Sequence, residues 1–495
     1  MMKCMKTTMT YIGALLMLGA LAFSCNKIDN QEPTPEETTQ TTAPVEMTFT
    51  TTMAAKDASS KAVDADGVTT WVVNEKIAVY YQKSDDSYGT ATANVDAVNA
   101  AGVATISALL TNAKNSSTVK FVYPASLVNA TGDDIDAAKL QANQHGTIAD
   151  ISANFDAATG SGTLVTDGST CGTDALVTLT NQLLIGKFTP KFSGAAIDEI
   201  MTLTVSDGTN TYTITPTSGT FGTTGIYVAM LPVTSQVVSL TAETASASYI
   251  YPGKSVTLAA GKLYNNLAIS CSKLYTCSSS DWETKVSAFN ADESENPVLL
   301  LTEKISIVSG VSMTITRADG IIDLGGKVLY IWDGVHDNYL KGLWLQNDDA
   351  GKSITVRNGT LSRMLDGGDD NRCFAGTVIV EDLTFDGHIF TDGHPYVLTN
   401  VNFINACGTS RFENYYYDTY NQTPHTITIY SGKYNCTFNA GSYGSSWLKG
   451  SVTIYGGKFR DNPSNIANVT IPSGYSVKSN TDSDSATYPY IVSAE

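Results

Sequence analysis

Two stretches near the C-terminus repeat almost residue for residue: Ile427-Thr-Ile-Tyr-Ser-Gly-Lys-Tyr434 returns 25 residues later as Val452-Thr-Ile-Tyr-Gly-Gly-Lys-Phe459. Related units run upstream as Ile354-Thr-Val-Arg-Asn-Gly-Thr-Leu361, Val378-Ile-Val-Glu-Asp-Leu-Thr-Phe385 and Val397-Leu-Thr-Asn-Val-Asn-Phe403, and one follows as Val469-Thr-Ile-Pro-Ser-Gly-Tyr475. Each is a short strand, a Gly or Asn that can turn the chain, and a large apolar residue opening the next strand. With that closing residue as a marker, the steps from Leu361 are 24, 18, 31, 25 and 16 residues. A constant strand unit with uneven loops predicts stacked coils, because a single coil cannot bury its aliphatic side chains alone. A further β-sandwich with irregular loops is the alternative fold. Ahead of the repeats, Ser280-Asp-Trp-Glu283 has capping-box spacing, with Ser280 as N-cap and Glu283 at N3. Trp282, Val286 and Phe289 then recur at helical spacing, which predicts one short amphipathic helix capping the first coil.

The N-terminal part reads differently. Lys3 and Lys6 precede an apolar run from Tyr11 to Phe23 that ends at Ser24-Cys25, too short for a comfortable bilayer span and suited to a signal-peptide core. Small Ser24 before the cysteine and polar Asn26-Lys27 after it resemble a bacterial lipobox, although Leu21 lies one place further from Cys25 than is usual and leaves Ala22 in the aliphatic position. Cys25 is the expected lipidation site, after a signal peptide over residues 1–24. Residues 25–45 are then a flexible tether rich in Thr, Gln, Glu and Pro that cannot form a core and reaches about 60 Å when stretched at roughly 3.3 Å per residue.

From Met47 onward, short alternating strands separated by turn residues are predicted at Met47 to Met53, Trp71 to Tyr81, Thr118 to Tyr123, Met201 to Val205, Thr211 to Thr215, Ile226 to Leu231 and Val237 to Ala242. Asp207-Gly208 between two of them is a hairpin signal. Only 16% of residues are charged and Gly numbers 40, which favours strands and turns over solvated helices. With 48 acidic against 30 basic residues the formal charge is −18, which argues against a nucleic-acid partner. Beyond Cys4 and Cys25, six cysteines remain (Cys171, Cys271, Cys277, Cys373, Cys407 and Cys436), of which Cys271 and Cys277 are the nearest local pair. No Cys-x-x-Cys or metal-finger histidine spacing occurs, so neither a structural metal nor a cofactor is expected.

Trp71-Val-Val-Asn-Glu-Lys-Ile-Ala-Val79, Phe121-Val-Tyr-Pro-Ala-Ser126, Leu140-Gln-Ala-Asn-Gln144, Tyr227-Val-Ala-Met-Leu-Pro232 and Gly261-Lys-Leu-Tyr264 follow one another in order. Together they resemble the fimbrillin-like family, type V pilus subunits of anaerobic Gram-negative bacteria of gut and mouth, over about residues 46–270. Asn74-Glu75 stands where Gly-Asp is common in that family. The repeats after it resemble the right-handed parallel β-helix of pectate-lyase-like proteins and bacterial surface adhesins. These resemblances imply an all-β chain: two transthyretin-like β-sandwich subdomains over 46–170 and 171–272, then a short cap helix and a parallel β-helix-like solenoid over 273–495. They further imply partner pilus subunits joined by strand donation, and maturation by a trypsin-like cut near Lys56 or Lys61 that releases the strand Met47 to Met53. Membrane contact would be through the lipid alone, at the outer membrane or on a fimbrium.

Two clusters are candidates for chemistry or contact. Asp366, Asp369, Asp370, Asp386, His388, Asp392 and His394 are the acid and histidine clusters of the repeat region; clustered carboxylates cleave glycosidic bonds in some β-helix enzymes and the same groups suit a bound cation, but Asp-Gly pairs are also ordinary turn chemistry. Phe412, Tyr415, Tyr416, Tyr417 and Tyr420 fall in the longest insertion, where rigid aromatics beside amides suit a glycan or protein ligand. The expectation is a non-enzymatic adhesin, with a surface glycan-binding or glycan-cleaving lipoprotein as the alternative.

Overall fold

A computed structural model describes residues 44–54, 70–141, 143–308, 311–331, 342–347, 349–366, 376–390, 395–404, 411–413, 415–417, 426–439 and 447–495. It is nearly all β. Seven strands, β1 (Glu46–Met53), β2 (Lys76–Gln82), β3 (Tyr88–Val98), β4 (Ala104–Thr111), β5 (Thr118–Tyr123), β6 (Ala158–Asp167) and β7 (Thr170–Thr173), form a ring in the order β5-β2-β3-β4-β1-β7-β6, closed by pairing of β6 with β5. Alternation decides what lies inside: Phe49 and Met53 of β1 are fully buried with Val79, Ile106 and Phe121, and Thr51 is buried between them, while Thr50 and Thr52 face out. Strand β1 runs antiparallel to β4 over its whole length, but meets β7 in parallel at just Thr48 and Phe49.

Trp71 lies ahead of β2 rather than in it. Its indole donates to the Ala54 carbonyl (2.8 Å) and meets Tyr123 edge-on at 5.2 Å. The turn after it places Asn74 at φ 75°, a left-handed conformation that Asn, like the Gly of the family pattern, accepts more readily than other residues.

A second core lies between two sheets. In one, β8 (Leu184–Phe192) pairs with β11 (Ile226–Met230) and β14 (Leu263–Ser270). The other runs β10 (Thr211–Ile214), β9 (Thr202–Ser206), β12 (Val233–Glu243) and β13 (Ser248–Leu258). The β9–β10 hairpin turns at Asp207 and Gly208, as its sequence predicts, and the Asp207 carboxylate accepts from the backbone N–H of Thr209 (2.9 Å) and Asn210 (2.6 Å). This core also draws in Leu127, Leu140, Ile151 and Phe155, so the chain visits it between β5 and β6. Gln144 explains the Leu140–Gln144 motif. Its buried amide donates to the carbonyls of Leu140 and Ala229 and accepts from the Ala229 N–H (2.7–2.9 Å), taking a strand's place beside β11.

Strand β15 (Ser272–Cys277) belongs to two structures at once: it pairs antiparallel with β13 through Ser272 to Leu274, and parallel with Val298–Leu301 through Leu274 to Cys277. Beyond it the chain winds through three parallel ladders. The first stacks Val298–Leu301, Gly320–Asp323, the starts of Ser353–Asp366 and Thr377–Phe390, then Tyr396–Thr399, Thr426–Ile429, Ser451–Ile454 and Val469–Thr470. The second carries the marker residues in register: Leu361 faces Phe385, Phe385 faces Phe403, Phe403 faces Tyr434 and Tyr434 faces Phe459. Neighbouring rings lie 5.2, 5.6 and 4.9 Å apart from Phe385 to Phe459. The third begins at Met313–Ile315 and Leu343–Leu345. Asn358, Asp382 and Asn400 all turn the same corner at positive φ, the role assigned to the residue after each strand.

The pattern breaks at its last unit. Val469–Thr470 is parallel, but Tyr475–Ser479 and Tyr490–Ala494 form an antiparallel hairpin, and the latter strand runs antiparallel to Gly457–Phe459. The expected continuation of the coil to Val492 is corrected accordingly: Gly474 at φ 84° reverses the chain, and the hairpin covers the final coil.

The predicted helix is Trp282–Asn290, with Val286 and Phe289 buried. Its N-cap is Asp281 rather than Ser280, and Glu283 is therefore at N2. The Asp281 carboxylate is occupied by the N–H (2.7 Å) and hydroxyl (2.5 Å) of Ser278, which bends the chain into the helix without a capping box. At the other end Arg317 donates to the carbonyls of Phe289 (2.7 Å), Asp292 (2.8 Å) and Ser294 (2.9 Å), and pairs with Asp319 at 2.7 Å. Phe289 is in the last turn of the helix, and Asp292 and Ser294 follow it, so one guanidinium ties the helix end to the chain that leaves it.

Candidate interaction surfaces

Cys25, Lys56, Lys61, Asp369, Asp370, Asp392, His394 and Tyr420 lie outside the described residues. Among the described residues no helix is long and apolar enough to cross a membrane.

Phe412 and Tyr415–Tyr417 lie in strands. Arg411–Glu413 stacks in the third ladder between His388–Phe390 and Thr437–Asn439, with Phe412 opposite Ile389 and Phe438. Tyr415, Tyr416 and Tyr417 form an antiparallel ribbon against Lys449, Leu448 and Trp447. Strand pairing, not a loop that folds back on itself, therefore orders the aromatic segment.

The acid cluster is spread along neighbouring rungs. Asp366 stands opposite Trp344 and Phe390, Asp386 opposite Ser362, and His388 opposite Met364 and Arg411. Among the described residues no three His, Cys, Asp or Glu side chains gather as a metal site.

Cys171, Cys271, Cys277 and Cys436 are free and buried. Burial pushes the Cys277 thiol up to about 12 and those of Cys171 and Cys271 to about 11, so none supplies a thiolate near neutrality. The expected Cys271–Cys277 pair is not formed: the residues bracket extended β15, and Cys271 packs in the second core while Cys277 packs in the coil. Six extended residues span about 20 Å at roughly 3.3 Å each, far beyond disulfide reach.

Sequence reading missed the clamp over the last two coils. Lys433 and Lys458 stand side by side on successive rungs. Asp484, on the loop between the C-terminal hairpin strands, binds both, at 2.9 and 2.8 Å, while Asn480 steadies it at 3.1 Å. Hydrogen bonds from Lys458, Lys433 and Asn480 hold the Asp484 carboxyl far below the usual carboxylate range. The strand Tyr490–Ala494 is thus fixed along both edges, by Tyr475–Ser479 and by Gly457–Phe459, and its loop is pinned to the coil.

No protein-family model and no curated protein matches the sequence. Among solved structures, a fimbrial protein from Bacteroides ovatus ATCC 8483 aligns with a TM-score of 0.23 at 12% identity, over 46% of this chain and 50% of that one. The present chain thus spans half of that protein's length. A fimbrial assembly protein from Parabacteroides distasonis ATCC 8503 aligns with a TM-score of 0.26 at 10% identity, over 46% of this chain and 90% of that one.

Proposed function

We propose that this chain is a cell-surface lipoprotein, anchored in the outer membrane through Cys25, that serves as an accessory or terminal subunit of a fimbrium and acts in adhesion. Residues 1–24 are the signal peptide, 25–45 the lipidated tether, about 46–272 two fimbrillin-like β-units between which the chain crosses, and 273–495 a β-helix-like repeat region, closed by an antiparallel hairpin, that carries recognition. The observation that carries this reading is the pairing of Tyr490–Ala494 on both edges within its own chain. A repeating subunit offers a strand to its neighbour, and here Tyr490–Ala494 is already in use. At the other end, β1 sits between β4 and β7, paired over its whole length on one side and on the other at Thr48 and Phe49 and again at Met53 with Val177. A cut at Lys56 or Lys61 would free β1 to leave, opening a slot for a strand from a partner subunit. The subunit could then receive a strand without donating one, which suits a fibre end. Its ligand is a surface glycan or protein met by the aromatic segment Phe412 to Tyr420. The experiment is immunogold labelling of intact fimbriae, with mass analysis of the mature N-terminus. Label at fibre ends and a lipid-bearing or trimmed N-terminus are expected; label spread evenly along shafts would overturn the terminal placement.

A second reading, glycan cleavage, draws on Asp366 on one strand and Asp386 and His388 on the strand that pairs with it. Product release from acidic polysaccharides, lost in Asp386→Asn, is its test.

A further inference from the structure

An open groove of about 580 Å³ runs between the helix Trp282–Asn290 and the strand Met313–Ile315 that starts the third ladder. Its volume falls in the range of small-ligand sites. Trp282 and Glu283 form one end from the first helical turn, Asn290 the other, and Ser312, Thr314 and Thr316 line the facing wall.

Three observations narrow the occupant. A partner strand is excluded because the strand edge is already covered: the Asn290 amide donates to the Thr314 carbonyl (2.9 Å) and accepts from the Thr316 N–H (3.1 Å), standing in for the missing neighbour. An anionic ligand is disfavoured because no Lys or Arg lines the groove, while Glu283 does. Finally, the lining pairs a half-buried indole and Val311, which is 42% exposed, with hydroxyls and a carboxylate. An indole offers an apolar face to C–H groups, and Ser, Thr and Glu side chains accept or exchange hydroxyl hydrogen bonds.

We propose that this groove binds the ring of an uncharged saccharide, with Trp282 as the stacking face and Glu283, Thr314 and Thr316 as its hydroxyl partners. The proposal deepens the recognition role given above to residues 273–495 and rests on it, at a place distinct from the aromatic ribbon. Calorimetric titration of the full chain with glucose, galactose, mannose, N-acetylglucosamine and their disaccharides tests it, with glucuronate and galacturonate as charged counterparts. At least one uncharged sugar is expected to bind, with Trp282→Ala weakening it about tenfold or more and Thr316→Val several-fold, the latter at unchanged melting temperature. If Trp282→Ala loosens the cap helix, the exposed variants Thr316→Val and Glu283→Gln decide. Failure of every uncharged sugar to bind at millimolar concentration, tighter binding of a uronate than of its neutral parent, or wild-type affinity in these variants would overturn the assignment. Bacterial attachment that survives Trp282→Ala but disappears without residues 273–495 would leave the adhesin reading intact and remove the groove.

Discussion

Arg317 shows how much one side chain can organise. Its guanidinium reaches three carbonyls at the end of the cap helix, lies 4.9 Å from the Phe289 ring and pairs with Asp319, all at 7% exposure. Removing one partner of such a buried set leaves the rest unsatisfied, so Arg317→Ala should cost about 3 kcal/mol in urea unfolding, and a loss under about 1 kcal/mol would show that water replaces it. Burial alone would raise the Asp319 carboxyl, but the hydrogen bond and charge of Arg317 outweigh it and hold it below its ordinary value. Because the folded carboxyl titrates below the unfolded one, its contribution is complete at neutral pH and is lost as pH falls through the folded value. In Arg317→Ala, burial acts with less opposition and the folded carboxyl titrates higher, so the part of the acid-induced loss that Asp319 contributes should shrink relative to the wild type. None of this was legible in the sequence, where Arg317 is an isolated cation in Thr-Arg-Ala-Asp. The corner residues Asn358, Asp382 and Asn400 were legible, because their turn chemistry is local.

The element that decides the relation between sandwich and coil is β15. Leu274 faces Ser248 on one side and Val298 on the other, so the second sheet of the sandwich continues into the first ladder without a linker. Tyr275 ties the strand to the cap helix region through Asp292 (2.9 Å) and an edge contact with Phe289 at 6.1 Å. Parallel strands pair at a cost of long loop closure, and β15, already held by β13, is a preformed edge on which the first rung can add. Native-state hydrogen exchange should therefore find the amides of Ser272–Cys277 and Val298–Leu301 opening with the same free energy as β13. Exchange of the first rungs through a separate, cheaper opening would show instead that the coil is an independent unit. Sequence periodicity named neither β15 nor its two neighbours, Ser248–Leu258 and Val298–Leu301, as strands. Membership in two sheets is a long-range pairing that no window of residues contains. The ribbon of Tyr415–Tyr417 with Trp447–Lys449 escaped for the same reason, and the capping box at Ser280 failed because Ser278 competes for the Asp281 carboxylate.

At the scale of the whole molecule, three cores follow one another, and the repeats forecast the largest because stacking turns a weak local pattern into a continuous one. The first two were less legible: residues between β5 and β6 pack in the second core, which no composition shift marks. The C-terminal hairpin completes the arrangement. Tyr490–Ala494 faces five residues of Tyr475–Ser479 and three of Gly457–Phe459, Val492 is 2% exposed, and Asp484 clamps Lys433 and Lys458. Releasing that strand for donation would give up hydrogen bonds of about 1 kcal/mol net each and the burial of a valine, at about 1.5–3 kcal/mol. It would also uncover the last coil. The cost rises with every ladder contact, so the strand stays in place even when a neighbouring slot is open. Chain from which β1 has been removed by trypsin-type cleavage should accordingly stay monomeric in size-exclusion chromatography at high concentration, yet accept a synthetic peptide with the alternation of Met47 to Met53. Self-assembly of the cleaved chain into ladders resistant to detergent would show that Tyr490–Ala494 does leave its hairpin, and the terminal role would fall with it.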